Sequence, residues 1–247
     1  MPHTYSHLIF HIVFSTKERR PLIGPELRER LYEYIGGTVR AVDYKVEKMI
    51  FVENFQTDAL ASFRNYKKLA ERAIEQVSDE EFFRGLDEEG NSIAVIVKHI
   101  AGNARSRWRN FLTTDGEKSD RNRDTEFEIF AESREGLMAA WETGWQTLFD
   151  AIEPLTADDF TRTIAIRGEP HTVVEAINRQ LTHYSYHIGQ IVFLAKHFRS
   201  EKWTSLSVPR NRSAEFNRFL ADKQERGEAK TDRFDSAAEF ARKEAEN

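Results

Sequence analysis

The chain has 247 residues, of which 40% are hydrophobic, enough to fill one large domain or an ordinary domain with a smaller companion. It contains no cysteine, which excludes disulfides, thiolate metal sites and cysteine nucleophiles, so any metal must rest on His, Asp and Glu. A net charge of −5 argues against a chain held on nucleic acid by bulk electrostatics, and DNA is not an expected partner. With no leader-like N-terminus and no apolar run approaching the ~20 residues of a membrane span, the expectation is a soluble cytoplasmic protein.

The charge is uneven along the chain. Residues 1–50 carry 8 Lys and Arg against 6 Asp and Glu, whereas the remainder carries 28 against 35, as two joined pieces would. In "YSHLIFHIVF", Leu8, Phe10, Ile12 and Phe14 alternate with Tyr5, Ile9 and Val13, predicting a strand buried on both faces and ended by the basic turn Lys17, Arg19, Arg20, Pro21. A helix is expected from Pro25, with Leu27, Leu31, Tyr34 and Ile35 at helical spacing and Gly36-Gly37 near its end. The segment "YKVEKMIFV", residues 44–52, then reads as a second strand, giving a β-α-β fragment over 1–50.

From residue 51 the pattern becomes helical. "FQTDALASFRNYKKLAERAIEQV" is one expected helix, followed by a turn at "SDEEF". "NSIAVIVKHIAGNARSRWRNFL" is the next, with Asn91 or Ser92 as N-cap and a stripe of Ile93, Ile96, Ile100, Ala104, Trp108 and Phe111. A polar loop leads to "SREGLMAAWETGWQTLFDAI"; "FTRTIAIRGEPHT" alternates around a glycine as a short ribbon would; and "TVVEAINRQLTHYSYHIGQIVFLAKHF" is the longest helix, with Val173, Ile177, Leu181, Tyr184, Ile188 and Ile191 on one face. The expected fold class is mainly α, a four-helix bundle over 51–220 after the short β-α-β fragment, with 221–247 a charged tail or frayed helix.

Within the longest helix, His183 and His187 stand four residues apart and so share a face, where both can turn a ring nitrogen toward one ion. Two ligands are too few; His99, between Ile96 and Ile100 at the border of a buried stripe, is the candidate third. Spacing alone is a weak signal, since two histidines at this interval arise often by chance and read more readily as boundary imidazoles with satisfied N–H groups. Gln180 and Gln190 flank it at i−3 and i+3, placed either to orient an imidazole or to face solvent. Tyr184 and Tyr186 read as packing residues, and His171 and His197 as surface or capping residues.

The segments "VKHIAGN", "LTHYSYHIGQIVFLAKHF" and "WTSLSVPRNRSAEFNRF" together resemble the DinB-like superfamily, in its branch of uncharacterised bacterial proteins, over roughly residues 51–220. The resemblance implies a four-helix bundle in which three histidines, matching His99, His183 and His187, hold a divalent metal: zinc, nickel, iron or manganese. It also implies a metal-dependent transferase or hydrolase with a small thiol as cosubstrate; separately from the resemblance, a homodimer is expected. Asn211 departs from the pattern, since glycine is expected after Pro209-Arg210. A metal-binding module without catalysis is the alternative within the same site.

The N-terminal stretch "MPHTYSHLIFHIVFSTKERRPLI" with "LRERLYEYIGGTV" resembles the start of the HUH tyrosine transposases of small insertion sequences. The chain leaves that pattern near Ile50, before the His-hydrophobe-His metal motif and the nucleophilic tyrosine. His7 and His11 do not replace the motif, because four residues along a strand separate them by about 13 Å. Transposition is therefore not expected, and a DNA-binding remnant is the competing functional reading.

Overall fold

A computed structural model of the protein describes residues 25–228 and 234–246. The fold is mainly helical, with one two-stranded sheet among the described residues. The chain divides into two compact units, Met1–Met49 and Ile50–Asn247. The strand expected near the N-terminus lies outside the described residues.

The strand expected over residues 44–52 is instead helical, because the first helix, α1, runs from Pro25 to Ile74 without interruption. The β-α-β reading of the first 50 residues is corrected accordingly. An interior glycine costs about 1 kcal/mol, so Gly36 and Gly37 weaken the helix less than ending it and nucleating another would.

In the second unit, α1 from Ile50 onward is followed by α2 (Asp79–Phe83), α3 (Ile93–Trp108), α4 (Arg134–Ile152), the strands β1 (Thr163–Ile166) and β2 (Glu169–Thr172), and α5 (Val173–Arg199). Helices α2 to α5 each start where a hydroxyl accepts from an otherwise unpaired backbone N–H. Ser92 accepts from Val95 N and Ser133 from Gly136 N, while Ser78 with Glu81 and Thr172 with Glu175 form reciprocal capping boxes. The stripe expected on α3 is buried from Ile93 to Phe111. Phe63 of α1, Trp108 of α3, Trp141 and Trp145 of α4 and Tyr184 of α5 fill one shared core, in which the Trp145 and Tyr184 ring centroids lie 5.1 Å apart. Close approach of α3 and α4 depends on Gly144, where an added Cβ would sit 3.1 Å from Ala101 Cα and 3.2 Å from the Ala104 side chain.

β1 and β2 pair antiparallel, with Ile166 opposite Glu169, through a two-residue turn in which Arg167 and Gly168 take positive φ of 57° and 77°. Asp115 secures this turn from the preceding loop, accepting from the backbone N of Arg167 at 2.8 Å and of Gly168 at 2.7 Å. Asn211 has φ 64°, the left-handed conformation that glycine favours and asparagine tolerates best among other residues, so the departure noted at this position leaves the turn intact. The charged segment at the C-terminus is not a bare tail. α6 (Ser213–Glu225) and α7 (Asp235–Glu246) pack through Phe240, which is buried and lies 5.4 Å from Phe216 and 5.6 Å from Phe219, centroid to centroid. Among the described residues, no helix is long and apolar enough to cross a membrane.

Candidate metal centre

α3 and α5 bring His99, His183 and His187 together, and one ring nitrogen from each lies within 4.8 Å of the other two. His99 Nε2 and His183 Nε2 are 3.2 Å apart. Nitrogens that share one ion at about 2.0–2.1 Å stand about 3–4 Å apart, so the cluster has nearly the right size. His187 Nε2 is buried and has no hydrogen-bond partner among the described residues, although its ring is well inside the protein. A buried nitrogen left without a partner costs free energy unless something else accepts its lone pair.

The opposite ring nitrogens are each held. His99 Nδ1 donates to Glu126 Oε2 at 2.8 Å, and His187 Nδ1 donates to Gln190 Oε1 at 2.8 Å. Both rings are thereby placed in the tautomer that turns an Nε2 lone pair toward the centre. Glu126 is itself buried and doubly gripped, accepting from Arg121 Nε and Nη2 at 2.8 Å each. Burial opposes its charge, but the hydrogen bonds from Arg121 and His99 prevail and keep its carboxyl below the usual range. Gly102 makes room for this carboxylate: a Cβ there would lie 2.2 Å from Glu126 Oε1.

His183 differs. Gln180 Nε2 donates to Asn103 Oδ1 at 2.9 Å and to His183 Nδ1 at 3.1 Å, which leaves the proton of His183 on Nε2, directed at His99 Nε2. For His183 to ligate through Nε2, its proton must move to Nδ1, and the Gln180 and Asn103 amides must exchange their oxygen and nitrogen positions. His183 and His187 are neutral at physiological pH. Burial, reinforced by His187 and His99, pushes His183 down to about 3, and burial with His99 pushes His187 down to about 4 against the partial counter-effect of Gln190.

Both flanking glutamines thus touch the cluster rather than merely facing solvent. Tyr184 packs in the core as expected, whereas Tyr186 is exposed and stacks on His187 with centroids 3.9 Å apart. His171 and His197 lie apart: Arg179 donates to His171 Nε2 at 3.2 Å, and His197 stacks against Phe193. Glu126, Arg121 and Asn103 carry no sequence signal of their role, since the first two sit in a charged loop and the third is one polar position on α3.

A helical core that presents three convergent imidazoles, two of them locked in the ligating tautomer, defines a candidate metalloprotein of the bundle type. More particularly, the chain belongs to the family described as protein of unknown function (DUF1572), whose model matches residues 50–212 and so spans all three histidines. No curated protein and no solved structure matches the chain.

Proposed function

We propose that the protein is a metal-dependent enzyme of DinB-like type, in which His99, His183 and His187 hold one divalent ion and a small thiol or a water serves as the nucleophile of a transfer or hydrolysis. The observation that carries this reading is the convergence of one ring nitrogen from each of the three histidines, with His187 Nε2 buried and without a partner among the described residues. Three imidazoles leave coordination positions for an exchangeable ligand, as reactive rather than structural ions require. When bound, the ion would lower the pKa of a water or thiol beside it and supply a nucleophile at neutral pH. Glu126, gripped by Arg121, keeps the His99 ring in register and its proton on Nδ1; Gln190 does the same for His187. The absence of cysteine accords with a thiol brought by a cosubstrate.

The test is metal analysis of the full chain purified without a His-tag and reconstituted in turn with zinc, nickel, iron and manganese. One ion per chain is expected for the wild type and none for His187→Ala, because two imidazoles then remain where three are needed. Failure of the wild type to retain any of the four ions would overturn the reading.

A further inference from the structure

We infer that the enzyme's substrate carries an oxyanion, a carboxylate or a phosphate, and that Arg107 and Arg179 bind this group beside the imidazoles. The inference rests on the reading of the histidine cluster as a catalytic centre, and it specifies the substrate class for that centre. The three histidines face a cleft of about 500 Å³ whose walls also include Arg107, Arg121, Arg123, Arg167 and Arg179. Among the described residues lining it, none is acidic.

Most of these arginines have partners. Arg121 is neutralised by Glu126 and Glu117, Arg167 reaches Glu117 at 3.3 Å, and Arg123 lies over the Phe127 ring and 4.0 Å from Asp124. Arg179 donates to His171 Nε2 at 3.2 Å and forms no ion pair among the described residues.

Arg107 is the exceptional one. It sits on α3 two turns beyond His99 and is only 7% exposed, yet its Nε and Nη1 have no hydrogen-bond partner and it forms no ion pair among the described residues. Gly116 admits the guanidinium: a Cβ there would lie 3.0 Å from Arg107 Nη1 and 3.2 Å from its Cδ. Burial, then the nearby Arg179 charge, lowers the Arg107 pKa to about 10 against a partial counter-effect of Glu117, so it remains cationic at neutral pH and desolvated, with no hydrogen-bonded or ion-paired carboxylate among the described residues.

A buried cation without a directly paired carboxylate destabilises the fold that holds it. An incoming oxyanion would supply both the missing charge and acceptors for the planar N–H fork, the geometry for which guanidinium is best suited. The like charge of Arg179 on the exposed side of the cleft adds to the attraction, and the imidazoles nearby contribute no opposing negative charge.

The experiment measures binding of inorganic phosphate and, separately, of succinate to the full-length protein by isothermal titration and by thermal shift. Each is carried out on chelated and on metal-loaded protein, so that an anion held by the ion alone is distinguished from one held by arginine. The expected result is saturable binding to chelated wild type, about ten- to a hundredfold weaker in Arg107→Met and weakened also in Arg179→Gln. The two ligands decide which oxyanion is preferred. Arg107→Met should melt no lower than wild type without anion and should keep its full metal content, which a merely structural arginine would not allow. If that variant does not fold, Arg107→Lys, which keeps the charge and loses the fork, serves in its place with the same expected weakening. Absence of saturable binding to chelated wild type, or equal binding by wild type and the Arg107 variant, overturns the inference. Oxyanion binding by a wild type that retains no metal would overturn the metal reading and leave standing only the oxyanion site at Arg107 and Arg179.

Discussion

At the scale of single residues, the proton on His183 is the most informative atom. The hydrogen bond from Gln180 Nε2 keeps it on Nε2 in the metal-free protein, whereas ligation demands it on Nδ1. Nitrogen NMR of the histidine rings should therefore show His183 as the Nε2–H tautomer after chelation and as Nδ1–H after loading, with His99 and His187 remaining Nδ1–H throughout. A His183 that stays Nε2–H in the loaded protein would mean that it does not ligate through Nε2. Acid dependence follows from the same rings. His183 and His187 titrate near 3 and 4 in the folded protein but near 6.5 once unfolded, so below pH 6.5 the unfolded chain binds more protons. Stability of the metal-free protein contributed by these two residues is full above about pH 6.5 and is lost as pH falls toward 3–4. Urea midpoints of His183→Gln measured across that range should fall less steeply than those of wild type.

At the scale of elements, the centre depends on how α3 meets the loop that carries Glu126. Gly102 lies on α3 less than one turn from His99, and any side chain there strikes the carboxylate that orients that histidine. Gly102→Ala should therefore displace Glu126 and weaken metal binding about 10–100-fold, the range seen when a group that orients a ligand is removed, although alanine is by propensity the better helix former. Competition with a chelator of known affinity checks this. Glu126→Ala should have a second effect. Arg121 retains Glu117 at 3.1 Å, but its side chain is buried, and removing one partner of a buried pair costs about 3 kcal/mol. Equilibrium denaturation would read that loss, and a change under about 1 kcal/mol would show that Glu117 alone suffices.

At the scale of the whole molecule, the question is whether the ion holds the fold. The aromatic core of Phe63, Trp108, Trp141, Trp145 and Tyr184 is closed by contacts among four helices and contains none of the imidazoles' Nε2 atoms, so burial of apolar surface does not depend on a ligand. Chelation should leave the far-ultraviolet circular dichroism spectrum unchanged and lower the melting temperature only by the binding free energy that is lost. Cooperative unfolding on metal removal would show the ion to be structural and would count against an open, reactive centre.

The long helices of the second unit, the Ser92 cap, the ribbon around Gly168 and the three histidines were legible in the sequence, because helical spacing, capping hydroxyls and an i,i+4 pair are local signals that burial then obeys. The strand expected at residues 44–52 misled for a local reason as well: a short apolar run suits either period, and the two glycines before it were too weak a break to end α1. What only tertiary structure decided is the surrounding of the imidazoles. Glu126 reaches His99 across 27 positions, Gln180 reaches Asn103 across 77, and Arg107 is left buried beside Gly116 with no paired carboxylate among the described residues. Hydrogen bonds and desolvation of this kind depend on which side chains the packed helices enclose together, and a one-dimensional pattern contains no trace of that enclosure.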